Sequence, residues 1–208
     1  EYDVVKGGTD MLSTAMARSL DVPLRYGEAV RAIRQDESGV TITTDVAGES
    51  KTHRADAVIC TLPYSVLRRL DIAPALSAAK RKIVDEIGYT SIVRVLMQTK
   101  TRFWRERGLL GDVLGDSPIQ ALVDATRAQS GTRGVLSTYT AAAPARKFSS
   151  LPEKERVALA ISETERIFSG VRDQVEKTRS VLWDEDPHAR GAFALSLIHI
   201  SEPTRRTI

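Results

Sequence analysis

The sequence predicts a mixed α/β protein, and three stretches carry that prediction. Residues 40–44 alternate apolar and polar side chains, as a half-buried strand does. Residues 91–99 are dense in β-branched and other apolar residues, which favours another strand. After Pro152, apolar residues recur at helical spacing up to Phe168. Because strands and helices alternate irregularly along the chain, we expect mixed sheets rather than a doubly wound parallel sheet.

The first third of the chain begins with a helix pattern and continues with strands. Residues 9–20 combine helix-capping side chains with apolar residues at helical spacing. Strand pattern starts at Val30 and Ile33, turns within the polar residues 36–39, and continues into the alternating stretch. A second polar turn is predicted at residues 47–51.

An apolar run at residues 57–62 predicts a strand buried on both faces. Cys60 lies in this run, so we expect a small buried side chain rather than a nucleophile. Pro63 stands where a short helix begins. Residues 71–74 are interpreted as a linker, and residues 76–87 as an amphipathic helix.

The second half of the chain continues the mixed pattern. The predicted elements are a strand at 91–99 that closes on Phe103-Trp104, a glycine-rich loop at 108–115, strands at 121–123 and 134–140, a helix at 152–168 and a strand at 177–183. The sequence contains no internal repeat and no low-complexity segment.

Composition excludes several classes of protein. The chain has 208 residues, of which 42% are hydrophobic and 27% charged, as in an ordinary globular protein. Its net charge of +3 comes from interleaved acids and bases, so we expect no nucleic-acid partner. A single cysteine suits a reducing, cytoplasmic location, although the chain does not begin with Met and a signal peptide is left open. No apolar run is long enough to span a bilayer.

Metal chemistry is not predicted either. The three histidines and one cysteine lack the spacing of zinc ligands. His53 follows a polar turn and is expected to be solvated. His188 and Arg190 lie in a polar segment. A position of His188 beside Phe193 and a contact of Arg190 with a substrate carboxylate are open, but exposed positions are the simpler interpretation.

Several motifs occur in a characteristic order along the chain. They are KGGTDML at 6–12, Val30-x-x-Ile33, ADAVICTLP at 55–63, Pro74 before a helix, Tyr89, a strand closing on Phe103-Trp104, and WDEDPHARGAF at 183–193. Each motif alone is weak, but the ordered set resembles the middle and late part of the flavin-dependent amine oxidases, a family that includes monoamine, polyamine and L-amino-acid oxidases. The resemblance covers residues 5–194.

The resemblance implies part of a two-domain flavoprotein fold. Residues 1–72 would belong to a FAD-binding domain, residues 73–180 to a substrate-binding domain, and residues 181–194 would return to the FAD-binding domain. The implied reaction oxidises a small-molecule amine or amino acid to an imine, while molecular oxygen is reduced to hydrogen peroxide. A desaturase-like or protoporphyrinogen-oxidase-like flavoenzyme, or a non-catalytic scaffold with the same fold, are the alternatives.

Arg94 is the first candidate catalytic residue. It interrupts an apolar strand, where a charged side chain is costly unless it is paired or near water. Counted back from Phe103-Trp104, it occupies the position where the family has a lysine that holds a water near the flavin. Because arginine keeps its proton, it can hold a water or a flavin oxygen but cannot act as a base. The alternative is a partly buried arginine paired with an acid.

Aromatic residues near the end of the chain match family positions that line the flavin. Trp183 is one such position. Phe193 is a second catalytic candidate, because the resemblance implies that it forms one wall of an aromatic cage that orients the substrate amine. Ala192 occupies the position where covalently flavinylated members carry a cysteine, so the FAD is expected to be non-covalent. Plain core packing is the alternative for both aromatic residues.

The other cofactor-binding candidates lie in the first third of the chain. Val30 matches a strand residue whose backbone contacts the adenine end of FAD, although an ordinary strand valine would look the same. Thr61 and Pro63 lie at the end of the predicted buried strand, where α/β folds often place ligands.

The two ends of the chain carry a separate expectation. The sequence has no GxGxxG motif, and the family's second FAD-contacting segment would follow residue 194. Residues 195–205 read LSLIHISEPTR and resemble a translated sequencing adaptor, so residues 195–208 are interpreted as a non-native tail. The chain is therefore expected to be an internal fragment that binds FAD poorly and is inactive by itself.

Overall fold

The computed structural model describes residues 5–195, which form two compact units. The larger unit contains residues 90–184 together with 5–21, and the smaller unit contains residues 22–89 together with 185–195. These divisions differ from the predicted boundaries after residues 72 and 180. The cofactor and substrate roles of the two parts stay predictions. The predicted tail lies outside the described residues, except for Leu195.

The described residues form seven helices and eleven strands. The helices are α1 (Asp10–Arg18), α2 (Tyr64–Leu67), α3 (Ala78–Glu86), α4 (Phe103–Glu106), α5 (Ala142–Ser149), α6 (Glu153–Ile167) and α7 (Val171–Gln174). The strands are β1 (Ala29–Asp36), β2 (Gly39–Val46), β3 (Glu49–Ala55), β4 (Asp71–Ala73), β5 (Tyr89–Thr90), β6 (Ile92–Thr99), β7 (Val113–Leu114), β8 (Ala121–Asp124), β9 (Gly134–Ala141), β10 (Val175–Leu182) and β11 (Phe193–Ala194). The mixed α/β fold class is confirmed.

The smaller unit is built on a four-stranded sheet with the order β3-β2-β1-β4. The first three strands are antiparallel, and β4 runs parallel to β1. Ala47 and Gly48, which join β2 to β3, both have positive φ (55° and 92°), the conformation that matches a tight turn to the strand twist. Asp45 stabilises this turn by accepting a hydrogen bond from the Gly48 N–H at 2.9 Å. Strand β3 was not predicted because its sequence, ESKTHRA, is almost entirely polar.

The larger unit is built on an antiparallel five-stranded sheet with the order β10-β6-β9-β8-β7. Alternate residues of β6 point to one face, and there Val93, Val95 and Met97 are buried in a core with apolar side chains of α5 and α6. On the opposite face Ile92 is buried, whereas Arg94, Leu96 and Gln98 are only partly buried. The sheet therefore has one face closed by helices and one face that carries the candidate site.

The prediction for residues 57–62 is wrong. The segment forms no strand, Ile59 is 91% exposed, and Cys60 is exposed rather than buried. A strand needs a neighbour for its N–H and C=O groups, and among the described residues no strand pairs with this run. The apolar pattern identified a segment suited to burial, but burial requires a surface to pack against.

Other differences have similar causes. Residues 71–73 form β4 rather than a linker, because they pair in parallel with β1, and Asp71 forms an ion pair with Arg34. Phe103 and Trp104 begin a short helix and are buried in the core of the larger unit, rather than ending the preceding strand. Helix α5 was not predicted. Within residues 5–195, no helix is long and apolar enough to cross a membrane.

Candidate cofactor and substrate sites

The smaller unit contains a cavity of about 570 Å³ beside β1. Its apolar wall comes from one strand residue and from residues 62–70, with the side chains Val30, Leu62, Val66 and Leu70. Pro187 from the last part of the chain closes another side. A cavity of this size is typical of small-molecule and cofactor sites.

Charged side chains line the rest of this cavity. Two of them are the carboxylates of Glu28 and Asp45, and three are the guanidinium groups of Arg31, Arg69 and Arg190. Arg31 is neutralised by Asp45 at 2.9 Å. Arg69 and Arg190 form no ion pair with any other described residue, so they are free to face an anionic ligand. His188 also borders the cavity.

Glu28 links the cavity to a hydrogen-bond network on the sheet. Its Oε2 lies 2.7 Å from His53 Nε2, and it accepts a hydrogen bond from the Thr44 hydroxyl at 3.3 Å. Partial burial by itself raises the pKa of Glu28, but the hydrogen bond and charge of His53, the Thr44 hydroxyl and the charge of Arg25 outweigh it, so the pKa is lowered. The expectation that His53 is solvated is therefore wrong, because the ring is partly buried against this carboxylate.

The predicted cofactor-binding residues in the smaller unit have different positions relative to the cavity. Val30 lines the cavity. Thr61 and Pro63 do not line it, but they flank Leu62, which does. Ala192 is half-buried and Phe193 is 52% exposed, and neither borders the cavity. Their roles stay predictions. Sequence reasoning gave little weight to the arginine and histidine at 188–190, although they directly precede the Gly191-Ala192 pair.

In the larger unit, Arg94 lies on the open face of the sheet. Its Cζ is 5.1 Å from the centroid of the Tyr139 ring, which is within the range of a cation–π contact. Within the described part of the chain, no ion pair involves Arg94. The partner of Arg94 among the described residues is therefore the aromatic ring of Tyr139, not an acid.

Trp183 directly follows β10, in the turn after Leu182. Val181, two residues earlier, pairs opposite Arg94. The Trp183 N–H donates to the Ile92 carbonyl at 3.4 Å, and the residue is 40% exposed. A cation and the Tyr139 ring thus share the open face, and the partly exposed Trp183 lies at the end of the neighbouring strand.

Trp104, which belongs to one of the motifs that carry the family resemblance, has a structural role. Its ring is fully buried, and its Nε1–H donates to Asp124 at 3.2 Å. A Cβ built on Gly134 would lie 2.2 Å from the Trp104 ring, so only glycine fits against it. This pair therefore anchors the larger unit without contributing to a site.

Asp124 is the buried acid of that anchor. Besides the bond from Trp104, it accepts hydrogen bonds from Arg105 at 2.6 Å and from the N–H and hydroxyl of Thr126 at 2.7 and 2.6 Å. Burial raises the pKa of Asp124, but these donors outweigh that effect and the pKa is lowered. Among residues 5–195, no group of three or more potential ligands is placed to hold a metal ion.

The chain is similar to several proteins that are named as oxidases of amino acids or amines. It is 29% identical over 203 residues to an L-amino-acid oxidase of Siganus canaliculatus, covering 94% of the chain and 38% of the relative. It is 30% identical over 193 residues to the flavin-dependent L-tryptophan oxidase of Lentzea aerocolonigenes, covering 90% and 41%. The chain thus spans about two fifths of the length of these curated relatives.

The fold and the family model agree with this result. The structure matches wild-type putrescine oxidase bound to putrescine with a TM-score of 0.78 and 25% identity, covering 90% of the chain and 41% of that protein. The mixed α/β architecture is therefore that of a flavin-dependent amine oxidase. The model of the family described as flavin containing amine oxidoreductase matches residues 3–203. The chain belongs to the flavin containing amine oxidoreductase family.

Proposed function

We propose that the whole protein is a FAD-dependent oxidase that converts an amine or amino acid to an imine and reduces molecular oxygen to hydrogen peroxide. Family membership makes it an oxidoreductase that uses a flavin. Its relatives are named as oxidases of L-amino acids and of amines, which supports either substrate class. The observation that carries the proposal is the cavity beside Val30, because its lining matches the chemical parts of a dinucleotide.

The side chains around the cavity fit FAD in three respects. Val30, Leu62 and Val66 provide an apolar surface for a flat base. Glu28 is a carboxylate with a lowered pKa, so it can accept hydrogen bonds from ribose hydroxyls or an exocyclic amine. The guanidinium groups of Arg69 and Arg190 can pair with a diphosphate.

The bound FAD would supply the hydride acceptor, and the protein would supply position and electrostatics. Ala192 has no sulfur, so the cofactor is held non-covalently at this position. Thr61 and Pro63 adjoin the cavity wall at Leu62 and would shape its edge. Trp183 and Phe193 would present aromatic faces to the amine.

Arg94 would hold a water or an anionic oxygen rather than move a proton. A guanidinium group presents five N–H donors in a planar fork, which suits holding a water or an anionic oxygen. The contact with Tyr139 occupies one face of the guanidinium plane, while the N–H groups around its edge remain available as donors. This residue therefore provides a fixed positive charge on the open face of the sheet.

The test is oxygen-dependent peroxide release by the whole protein with a panel of L-amino acids and primary amines. We expect turnover with at least one of these substrates. Arg94→Met should lower it about 100-fold, the usual effect of removing one positioned donor, whereas Arg94→Lys should retain most of it. Arg146→Met, at an exposed helix position, is the matched control.

A non-catalytic flavoprotein scaffold is the second candidate, and one observation favours it. Arg94 occupies the position at which the family resemblance leads us to expect a lysine. If the wild-type protein and Arg94→Lys both bind FAD but neither releases peroxide nor bleaches the flavin with any substrate, the scaffold becomes the better description.

A further inference from the structure

Two segments that are distant in sequence both contribute to the cavity wall in the smaller unit. One is residues 62–70, and the other is residues 187–190. Neither lies in a β-sheet, so no ladder of backbone hydrogen bonds holds them together. The shape of the cavity therefore depends on whatever links these two segments.

The first link is a hydrogen bond from Ser65. Its hydroxyl donates to the carbonyl of Ala189 at 2.6 Å, across 124 residues of sequence. Ser65 is only 7% exposed, so water competes poorly for this bond. The bond joins the first turn of α2 to the residue next to Arg190.

The second link is the side chain of Tyr89. Its hydroxyl accepts a hydrogen bond from the Tyr64 N–H at 3.0 Å. On its other side, a Cβ built on Gly191 would lie 2.7 Å from Tyr89 Cβ and 3.1 Å from its Cγ and Cδ1, so the Gly191 backbone lies directly against this side chain. Tyr89 thus contacts Tyr64 of the first segment and Gly191, the residue that directly follows the second segment.

The backbone at Arg190 indicates why such links are needed. Arg190 has φ of +53°, in the left-handed region that non-glycine residues seldom adopt. Asp186 holds the turn before it, accepting hydrogen bonds from the N–H groups of His188 and Ala189 at 2.7 and 2.9 Å. The strained residue persists because this turn on one side and Gly191 on the other determine its position.

We propose that Tyr89 and Ser65 are positioning residues for the cofactor cavity. They do not line it; they hold residues 187–191 against residues 62–66, and so present Arg190 and His188 to a ligand there. This inference rests on the proposed function, since that function identifies the ligand as FAD. We call these contacts the Tyr89–Ser65 tether.

The experiment compares Tyr89→Phe and Ser65→Ala with the wild type in the whole protein. Tyr26→Phe is the matched control, since Tyr26 is 80% exposed, and Ser50→Ala, at an exposed strand position, is the other. Amide hydrogen exchange is measured first on the cofactor-stripped protein. We expect exchange of peptides spanning 62–68 and 187–193 to be about tenfold faster in both tether variants, the effect of losing one hydrogen bond.

The second measurement is the dissociation constant of FAD, from flavin fluorescence. We expect about a tenfold increase in each tether variant, again the effect of one hydrogen bond, and no change in the controls. Gly191→Ala places a methyl group against Tyr89 at a φ of +141°. It should therefore raise the dissociation constant of FAD more than either Tyr89→Phe or Ser65→Ala does.

Faster exchange together with weaker FAD binding supports the proposal. Faster exchange with an unchanged dissociation constant overturns the positioning role, and unchanged exchange overturns the tether itself. If the wild type does not bind FAD, the proposed function fails; the exchange data still decide whether the tether exists, because they are collected without the cofactor.

Discussion

The two compact units differ in how completely they bury their apolar side chains. In the larger unit, Trp104, Val95 and Met97 are fully buried in one continuous core. In the smaller unit, Val40 and Val84 are the buried apolar side chains of the described residues, while large apolar side chains such as Ile59 are exposed. Exposed large apolar side chains also occur in the larger unit, for example Met16 and Leu114. The difference between the units is therefore the continuous buried core, which only the larger one has among the described residues.

Their polar networks show the same contrast. Asp124 in the larger unit is buried and surrounded by donors from its own unit, so it contributes to stability. Glu28 in the smaller unit is paired with His53 on one side and faces the cavity on the other. Substitution of Asp124 should therefore cost folding free energy, whereas substitution of Glu28 should, under the proposed function, mainly cost ligand affinity.

The largest expected effect is at Trp104. Trp104→Ala should lower the free energy of unfolding by about 3–5 kcal/mol, because it leaves a cavity in a closed core. Trp183→Ala removes the same side chain from a 40% exposed position and should cost less than about 1 kcal/mol. Urea denaturation of both variants checks this, and equal losses would contradict the contrast between core and surface.

The next effect is at Asp124, and it depends on pH. Asp124→Asn should cost about 2 kcal/mol at pH 7, because Trp104, Thr126 and Arg105 lose a charged acceptor. Since the pKa is lowered from its ordinary 3.8, the carboxylate's contribution is fully present above pH 3.8. It is lost as the pH falls through the still lower pKa of the folded state.

The difference in unfolding free energy between Asp124→Asn and the wild type should therefore shrink in acid. Urea denaturation between pH 7 and pH 3 measures this difference. Asp116→Asn, at an exposed position in the same unit, is the control and should show little difference at any pH. A difference that stays constant with pH would contradict the assignment of a charged Asp124.

The smallest effect is expected at Ile59. Ile59→Ser should change the unfolding free energy by less than about 0.5 kcal/mol, because the side chain is exposed. Val40→Ala, at a position that is 2% exposed in the same unit, should cost about 2 kcal/mol. Thermal or urea denaturation separates the two, and a loss at Ile59 as large as at Val40 would indicate that residues 57–62 are buried after all.

Much of the fold could be predicted from local patterns. Strand β6 was predicted because it is dense in β-forming residues, helix α6 because its apolar residues recur at helical spacing, and strand β2 because it alternates. Strand β3 was not, since an exposed strand of polar residues has no apolar period to detect. The strand prediction for residues 57–62 was wrong because an apolar run indicates a tendency to be buried but does not supply a neighbouring strand to pair with.

The candidate sites were predicted to a smaller extent. Val30 and Arg94 were identified from motif order, and the structure puts Val30 on a cavity wall and Arg94 on an open sheet face. Tyr139 was not identified as the partner of Arg94, because it lies 45 residues away in a strand that only sheet pairing brings near. An aromatic residue in a strand has no sequence signal that specifies which cation it meets.

The sequence by itself determined the family, the mixed α/β class and the absence of sulfur at residue 192, since these depend on residue identity and order. Tertiary structure alone decided that Glu28 meets His53, that Arg94 stacks on Tyr139, and that residues 62–70 and 187–190 share a cavity. The physical reason is that periodicity reports which face of an element is apolar, whereas the pairing of distant residues depends on strand register and chain packing. Neither of these is encoded in any single local stretch.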